Sequence, residues 1–103
     1  MTDFWELEER IDALCRRVAS APRDDALLTE MEDLLAEGYL RALQSDQQRR
    51  RLQSRRDLLT ATTEEMQAAA RQELALREAT GQLRLRLAVM HAHWEAARAS
   101  APA

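Results

Sequence analysis

Apolar residues in the second half of the chain recur with a seven-residue period, and this repeat restricts the fold more than any other sequence feature. From Leu52 onward, the a positions are Leu52, Leu59, Met66, Glu73, Thr80, Leu87 and Trp94. The d positions are Arg55, Thr62, Ala69, Leu76, Leu83, Met90 and Ala97. A seven-residue period of this kind is typical of α-helices that pack along one another. We therefore predict an all-α, coiled-coil-type protein.

The composition favours the same fold class. The 103 residues include only 2 Gly and 2 Pro, and aromatic residues make up 4% of the chain. Sheets are rich in β-branched and aromatic residues, which are scarce here. Ala, Leu, Glu, Gln and Arg dominate the sequence, and all five are strong helix formers. A chain of this length is expected to form a single domain, residues 1–103.

The first helix is predicted over about residues 3–20. Asp3 and Glu6 have the spacing of a capping box, in which two side chains satisfy backbone groups at a helix start. One apolar stripe follows, formed by Phe4, Leu7, Ile11, Leu14 and Val18. Pro22 is expected to separate this helix from the next, because proline is tolerated only in the first turn of a helix.

Two longer helices are predicted over about residues 23–60 and 63–99, followed by a disordered tail at 100–103. The apolar stripe of the first of these is formed by Leu27, Leu28, Met31, Leu34 and Leu35. So wide a stripe indicates contact with two neighbouring helices.

The relative placement of the two long helices leaves two models open. Thr62 and Glu65 form a second capping-box pattern, which favours a turn near residue 61. The preferred model is therefore a helical hairpin, an antiparallel coiled coil, with a short N-terminal third helix. It has a three-helix base and a two-helix arm, with Gly38 level with Leu83 and close to Gly81, and Leu34 against Leu87. The alternative is one continuous helix after residue 23 in a dimeric coiled coil, roughly 115 Å long at 1.5 Å per residue.

Charge is distributed unevenly along the chain. Residues 1–39 hold 4 Arg against 11 acidic residues, whereas residues 40–103 hold 11 Arg against 7. The overall net charge of −3 argues against general binding to nucleic acids or anionic membranes. The basic half contains one dense cluster, made of Arg49, Arg50, Arg51, Arg55 and Arg56.

Three roles are open for this arginine cluster. The arginines would pair within the folded arm with Asp46, Asp57, Glu64, Glu65 and Glu73, with Glu73 near Gln48 and Arg51. They would otherwise face an acidic protein partner or a nucleic acid. No aromatic residue interleaves with them, which disfavours recognition of single-stranded nucleic acid.

Residues suited to catalysis or metal binding form no complete site in the sequence. His91 and Glu95 are four residues apart and share a helix face, but two ligands do not make a metal site. His91 and His93 point to different sides of a helix. Cys15 is a lone cysteine next to the first apolar stripe, and we expect it to be a partly buried apolar residue. Without a nucleophile motif or phosphate loop, no enzyme activity, cofactor or metal is predicted.

Several apolar residues lie off the predicted stripes, and these suggest an interface. They are Trp5, Leu40, Leu43, Leu85 and Val89. Exposed apolar patches on water-soluble proteins usually mark interaction sites, and a symmetric homodimer is the simplest way to bury one. We therefore expect a homodimeric, non-enzymatic protein-interaction module of adaptor, chaperone or scaffold type, whose partner has an acidic or helical surface. The alternative is a small nucleic-acid-associated regulator that uses the segment Arg49–Arg56.

The chain start and its hydropathy suggest a location. Residues 1–6 are acidic and contain no basic start or apolar run, so no signal peptide is expected. No stretch of 18 apolar residues occurs, so no membrane span is expected. A cytoplasmic setting is the resulting expectation.

Overall fold

The computed structural model describes residues 4–20, 24–58 and 63–99, together with their side chains except those of residues 57 and 58. It contains three helices: α1 (Phe4–Ser20), α2 (Asp25–Leu58) and α3 (Thr63–Ala99). These described residues contain no strand, and the all-α prediction is confirmed. Asp3, Thr62 and the predicted tail at 100–103 lie outside the described residues.

Asp24 caps the N-terminus of α2. The backbone N–H of Ala26 donates a hydrogen bond of 3.0 Å to the Asp24 carboxylate, and the N–H of Leu28 donates one of 3.1 Å to the Asp24 carbonyl. A side-chain oxygen at this position satisfies one of the four backbone donors that a helix start leaves without a partner. Pro22, which was expected to separate α1 from α2, lies outside the described residues.

The helices α2 and α3 run antiparallel along each other. Arg56 pairs with Glu73 at 2.9 Å near one end, and the Trp94 indole N–H donates to Glu32 at 3.2 Å near the other. Residue numbers on α3 therefore fall as those on α2 rise. This packing agrees with the helical hairpin.

The alternative of one continuous helix after residue 23 is wrong. The longest dimension of the structure is 62 Å, far short of the length that a single rod would need. Folding back buries the apolar stripe of α2 against α3 within one chain, and tertiary burial of an apolar face supplies most of the stability of helices in proteins.

The apolar core lies at one end of the hairpin, where α1 packs against both long helices. Its buried residues are Leu7, Ile11, Leu14, Leu27, Met31, Leu34, Leu35, Ala42, Leu83, Leu87 and Met90. We call this end the base (residues 4–20, 24–45 and 80–99). The remaining two-helix part is the arm (residues 46–58 and 63–79). Since burying one large aliphatic side chain contributes about 1.5–3 kcal/mol, the base holds most of the burial energy.

Close helix contact in the base depends on Gly38. This glycine is buried, and a Cβ atom added to it would lie 3.3 Å from Leu87 Cγ and closer still to Leu87 Cδ2. The Leu87 side chain therefore occupies the space that a side chain at position 38 would need. Glycine allows α2 and α3 to approach at this level.

The two glycines differ in their surroundings. Gly38 lies against the Leu87 side chain, a contact that the sequence did not predict. Gly81 is exposed, and a Cβ atom there would meet nothing within 4 Å. Side chains tilt toward the N-terminus of their own helix, so antiparallel helices tilt them in opposite directions. Leu87 consequently reaches toward the arm and meets Gly38.

Candidate interaction surfaces

Two ion pairs hold one edge of α1 against α2. Arg10 pairs with Glu37 at 2.9 Å, and Arg17 pairs with Glu30 at 2.8 Å. Each pair is solvent-exposed and contributes little on its own, about 0.2–1 kcal/mol. Arg10 and Arg17 are seven residues apart, and so are Glu30 and Glu37. The two pairs together therefore define the antiparallel alignment of α1 and α2.

A single arginine holds the other edge of α1 against α3. Arg86 lies 3.6 Å from a carboxylate oxygen of Glu8 and 3.4 Å from one of Asp12. The carboxylates on this edge of α1 therefore face a basic residue, whereas the arginines on its other edge face glutamates.

A groove between α1 and α3 contains two of the predicted interface residues. Leu85 is 63% exposed and Val89 is 54% exposed. The groove is lined by Ile11, Asp12, Cys15, Arg16, Gln82, Leu85, Arg86 and Val89. It thus has an apolar floor and charged edges, an arrangement typical of protein interfaces.

The other three predicted interface residues lie elsewhere. Leu40, Leu43 and Trp5 are 56%, 52% and 57% exposed. Leu40 lines a separate groove between α1 and α2, together with Leu7, Glu37, Arg41, Gln44, Gln48 and Arg51. The five residues therefore do not share one groove. Periodicity shows that each lies off the core stripe, but only the position of α1 decides which groove each one joins.

Three further exposed apolar residues were missing from the predicted interface. Tyr39 is 47% exposed and lies one helical turn from Leu43 on the same side of α2. In the arm, Leu74 is 54% exposed, and Met66, a predicted seam residue, is 45% exposed. The four-residue spacing of Tyr39 and Leu43 is the sequence signal that would have placed Tyr39 in the same patch.

The arginine cluster divides into paired and unpaired members. Arg56 pairs with Glu73 at 2.9 Å, and Arg49 approaches Asp46 at 4.0 Å. Arg50, Arg51 and Arg55 form no ion pair with another described residue. The pair of Arg56 with Glu73 is one of the pairings expected within the folded arm, whereas no ion pair joins Glu73 to Arg51. The side chain of Asp57 lies outside the described residues.

No described residue of the arm is fully buried. Its seam contains the partly buried charged residues Arg49, Arg56 and Glu73 among the partly buried apolar residues Leu52, Ala69 and Leu76. A groove in the arm is lined by Leu52, Arg55, Arg56, Glu65, Met66, Ala68, Ala69 and Gln72. The two helices of the arm therefore leave apolar side chains of their own seam accessible.

Cys15 is partly buried at the edge of the core and lines the groove between α1 and α3. Burial raises the pKa of its thiol, and the nearby Asp12 carboxylate raises that pKa further. A raised pKa lowers the thiolate fraction at neutral pH, and the thiolate is the reactive form of cysteine.

His91 contributes to a cluster around Trp94. Its ring stacks on the Trp94 ring with centroids 5.6 Å apart, and His91 Nδ1 lies 3.6 Å from a Glu95 carboxylate oxygen. The guanidinium of Arg98 lies 5.2 Å from the Trp94 ring centroid. These contacts account for His91 and Glu95 as packing partners on one helix face.

The described part of the chain contains no group of three or more His, Cys, Asp or Glu residues placed to hold a metal ion. None of its helices is both long enough and apolar enough to cross a membrane. Comparisons of the chain with protein-family models, curated proteins and solved structures found no match.

Proposed function

We propose that the protein is a non-enzymatic interaction module of adaptor, chaperone or scaffold type. It forms a homodimer through the groove between α1 and α3, and its arginine cluster binds an acidic partner protein. The observation that carries the proposal is the exposure of Leu85 and Val89 in the groove between α1 and α3. These two side chains are four residues apart, so they form one apolar ridge on α3.

A homodimer would bury this ridge against a second copy of the same groove. In a two-fold dimer the same patch is used by both copies, so each ridge packs beside its counterpart. The charged edges of the groove, Asp12, Arg16 and Arg86, have both signs. They therefore allow a rotated copy to place opposite charges together, which favours association and orientation.

The double variant Leu85→Glu/Val89→Glu tests the dimer. Light scattering of the native protein is expected to give twice the chain mass of 11.8 kDa, and the variant is expected to give the mass of one chain. Buried carboxylates without partners would destabilise the interface. Leu74→Glu serves as the control, since Leu74 is similarly exposed but lies in the arm. A native protein with the mass of one chain, or a double variant that keeps the dimer mass, would refute the homodimer.

A nucleic-acid-associated regulator is the second candidate function. Three arginines support this candidate, because they form no ion pair with another described residue. They are Arg50, Arg51 and Arg55. Binding to phosphates releases counterions, so it weakens steeply as salt concentration rises. A mobility-shift assay with short duplex and single-stranded DNA at low salt would detect such binding, and the absence of a shift would remove this candidate.

A further inference from the structure

The hairpin face that carries α1 continues along the arm without a covering helix in the described chain. The Arg41 guanidinium lies 4.3 Å from the centroid of the Phe4 ring, so the first described residue of α1 is level with Arg41. Beyond that level, one groove runs past Gln44 and Gln48 to Arg51. The groove in the arm then continues from Leu52 to Gln72. No described helix therefore covers the arm at the position that corresponds to α1 in the base.

Charge along this face of α2 changes sign beyond the N-terminal end of α1 at Phe4. Four residues follow each other at seven-residue intervals along it, namely Glu30, Glu37, Gln44 and Arg51. The two glutamates pair with the arginines of α1. Arg51 holds the equivalent position in the arm and has no ion pair with a described residue. A helix lying there would therefore need carboxylates where α1 has arginines.

We propose that the arm binds an amphipathic α-helix of a partner protein, placed in line with α1. Its apolar stripe packs on Leu52 and Met66, and carboxylates on one edge face Arg51 and Arg55. Laying an amphipathic helix into an apolar groove is a common mode of recognition, and complementary charges give such pairs their specificity. This inference rests on the proposed function, because it assigns the acidic partner a class and a position.

A second copy of this chain is a poor occupant of the same groove. Because α1 covers the base half of the face, two copies could bring only their arms together, with their bases at opposite ends. A two-fold axis of that kind places α2 opposite α2. Arg51 and Arg55 would then face the same arginines of the other copy. Like charges across an interface oppose association, so the charge pattern favours an acidic partner helix.

The chain itself supplies the probe for this site. The peptide of residues 4–20 already has an apolar stripe that fits this face of the hairpin in the base. An acidic version carries Arg10→Glu and Arg17→Glu, and Cys15→Ala prevents disulfide formation. A reference peptide carries only Cys15→Ala. Both are labelled with fluorescein, and fluorescence anisotropy measures their binding to the full-length protein. The acidic peptide is expected to bind, and the reference peptide to bind about tenfold more weakly.

Two protein variants locate the binding. Arg51→Glu is expected to weaken binding of the acidic peptide about tenfold and to strengthen binding of the reference peptide. Arg50→Glu makes the same charge change about 100° further around α2, outside both grooves, and is expected to leave binding unchanged. Circular dichroism confirms that each variant is folded, and Arg51→Gln replaces Arg51→Glu if that variant unfolds.

The results separate this inference from the proposed function. Failure of the acidic peptide to show saturable binding overturns the inference. Equal losses from Arg50→Glu and Arg51→Glu also overturn it, because they indicate general attraction to the arginine cluster. Neither result affects the light-scattering test of Leu85 and Val89, since that test involves the groove between α1 and α3.

Discussion

Ser45 and Thr80 join α2 and α3 by a hydrogen bond of 2.6 Å between their hydroxyl oxygens, at the boundary between the base and the arm. Both residues are buried. Thr80 Oγ1 also lies 2.7 Å from the Leu76 carbonyl oxygen, to which it donates. Thr80 has only one hydroxyl hydrogen, so Ser45 must be the donor to Thr80. A buried polar pair of this kind favours one alignment of the two helices, because a shifted alignment would leave both hydroxyls in apolar surroundings.

Replacing one hydroxyl of this pair is expected to destabilise the protein. Thr80→Val removes the acceptor and leaves the Ser45 hydroxyl buried without this partner, at a cost of about 1–3 kcal/mol in the free energy of unfolding. Ser45→Ala leaves Thr80 bonded to Leu76, so its cost is smaller, about 1 kcal/mol. Urea denaturation measures both values.

The double variant Ser45→Ala/Thr80→Val provides the critical comparison. It is expected to lose less stability than the two single variants together, because replacing both partners leaves no hydroxyl unsatisfied. Ser54→Ala makes the same change at an exposed site in the arm and is expected to have little effect. Strict additivity of the two single effects would contradict the coupling of Ser45 and Thr80.

The two glycines are expected to respond oppositely to alanine. Gly81→Ala adds a methyl group in open space and should stabilise the protein by about 0.5–1 kcal/mol, because alanine favours the helix. Gly38→Ala forces the buried Leu87 side chain to move and should destabilise the protein by about 1–3 kcal/mol, since overpacking outweighs helix propensity. Thermal unfolding measures both changes. A stabilising Gly38→Ala would show that Leu87 can repack freely.

The arm is expected to open more readily than the base. Hydrogen exchange should be faster for backbone amides of residues 46–58 than for those of residues 27–42, although both segments belong to α2. The reason is that local opening costs little where few apolar side chains are buried. Exchange measured by mass spectrometry with peptide resolution tests this difference. Uniform protection along α2 would show that the arm is stabilised by more than the seam contacts of one chain.

The reactivity of Cys15 is expected to be low and to depend on Asp12. Since burial and the Asp12 carboxylate raise the pKa of the Cys15 thiol, iodoacetamide should alkylate the folded protein more slowly at pH 8 than the chain unfolded in urea. Asp12→Asn removes one of the two causes and should shift the pH–rate profile to lower pH. An unchanged profile would exclude a contribution from Asp12.

The same pKa shift has a consequence for stability. A folded-state pKa above that of the unfolded chain means that the fold favours the neutral thiol. The contribution of Cys15 to stability is therefore present below the unfolded-chain pKa and is lost as the pH rises through the folded-state pKa. Cys15→Ser should reduce the fall in stability at alkaline pH, as measured by urea denaturation across that range. An equal fall in the variant would show that other groups cause it.

Local sequence patterns determined the helices of this protein. Helical hydrogen bonds join residues four apart, and apolar side chains three and four apart line one face, so Leu7, Ile11 and Leu14 identify a buried stripe without knowledge of any partner. The same periodicity showed that Leu85 and Val89 lie outside the seam. These features depend only on neighbours along the chain.

Tertiary structure alone decided how the helices meet. Two examples are the contact of Gly38 with Leu87 and the ion pair of Glu73 with Arg56. Both depend on the opposite tilts of side chains on antiparallel helices and on how those side chains pack. Residues one helical turn apart share a face, so periodicity alone does not determine which side chains of the two helices meet. The position of α1 likewise decided that Leu40 and Leu85 line different grooves and that Arg51 faces an open one.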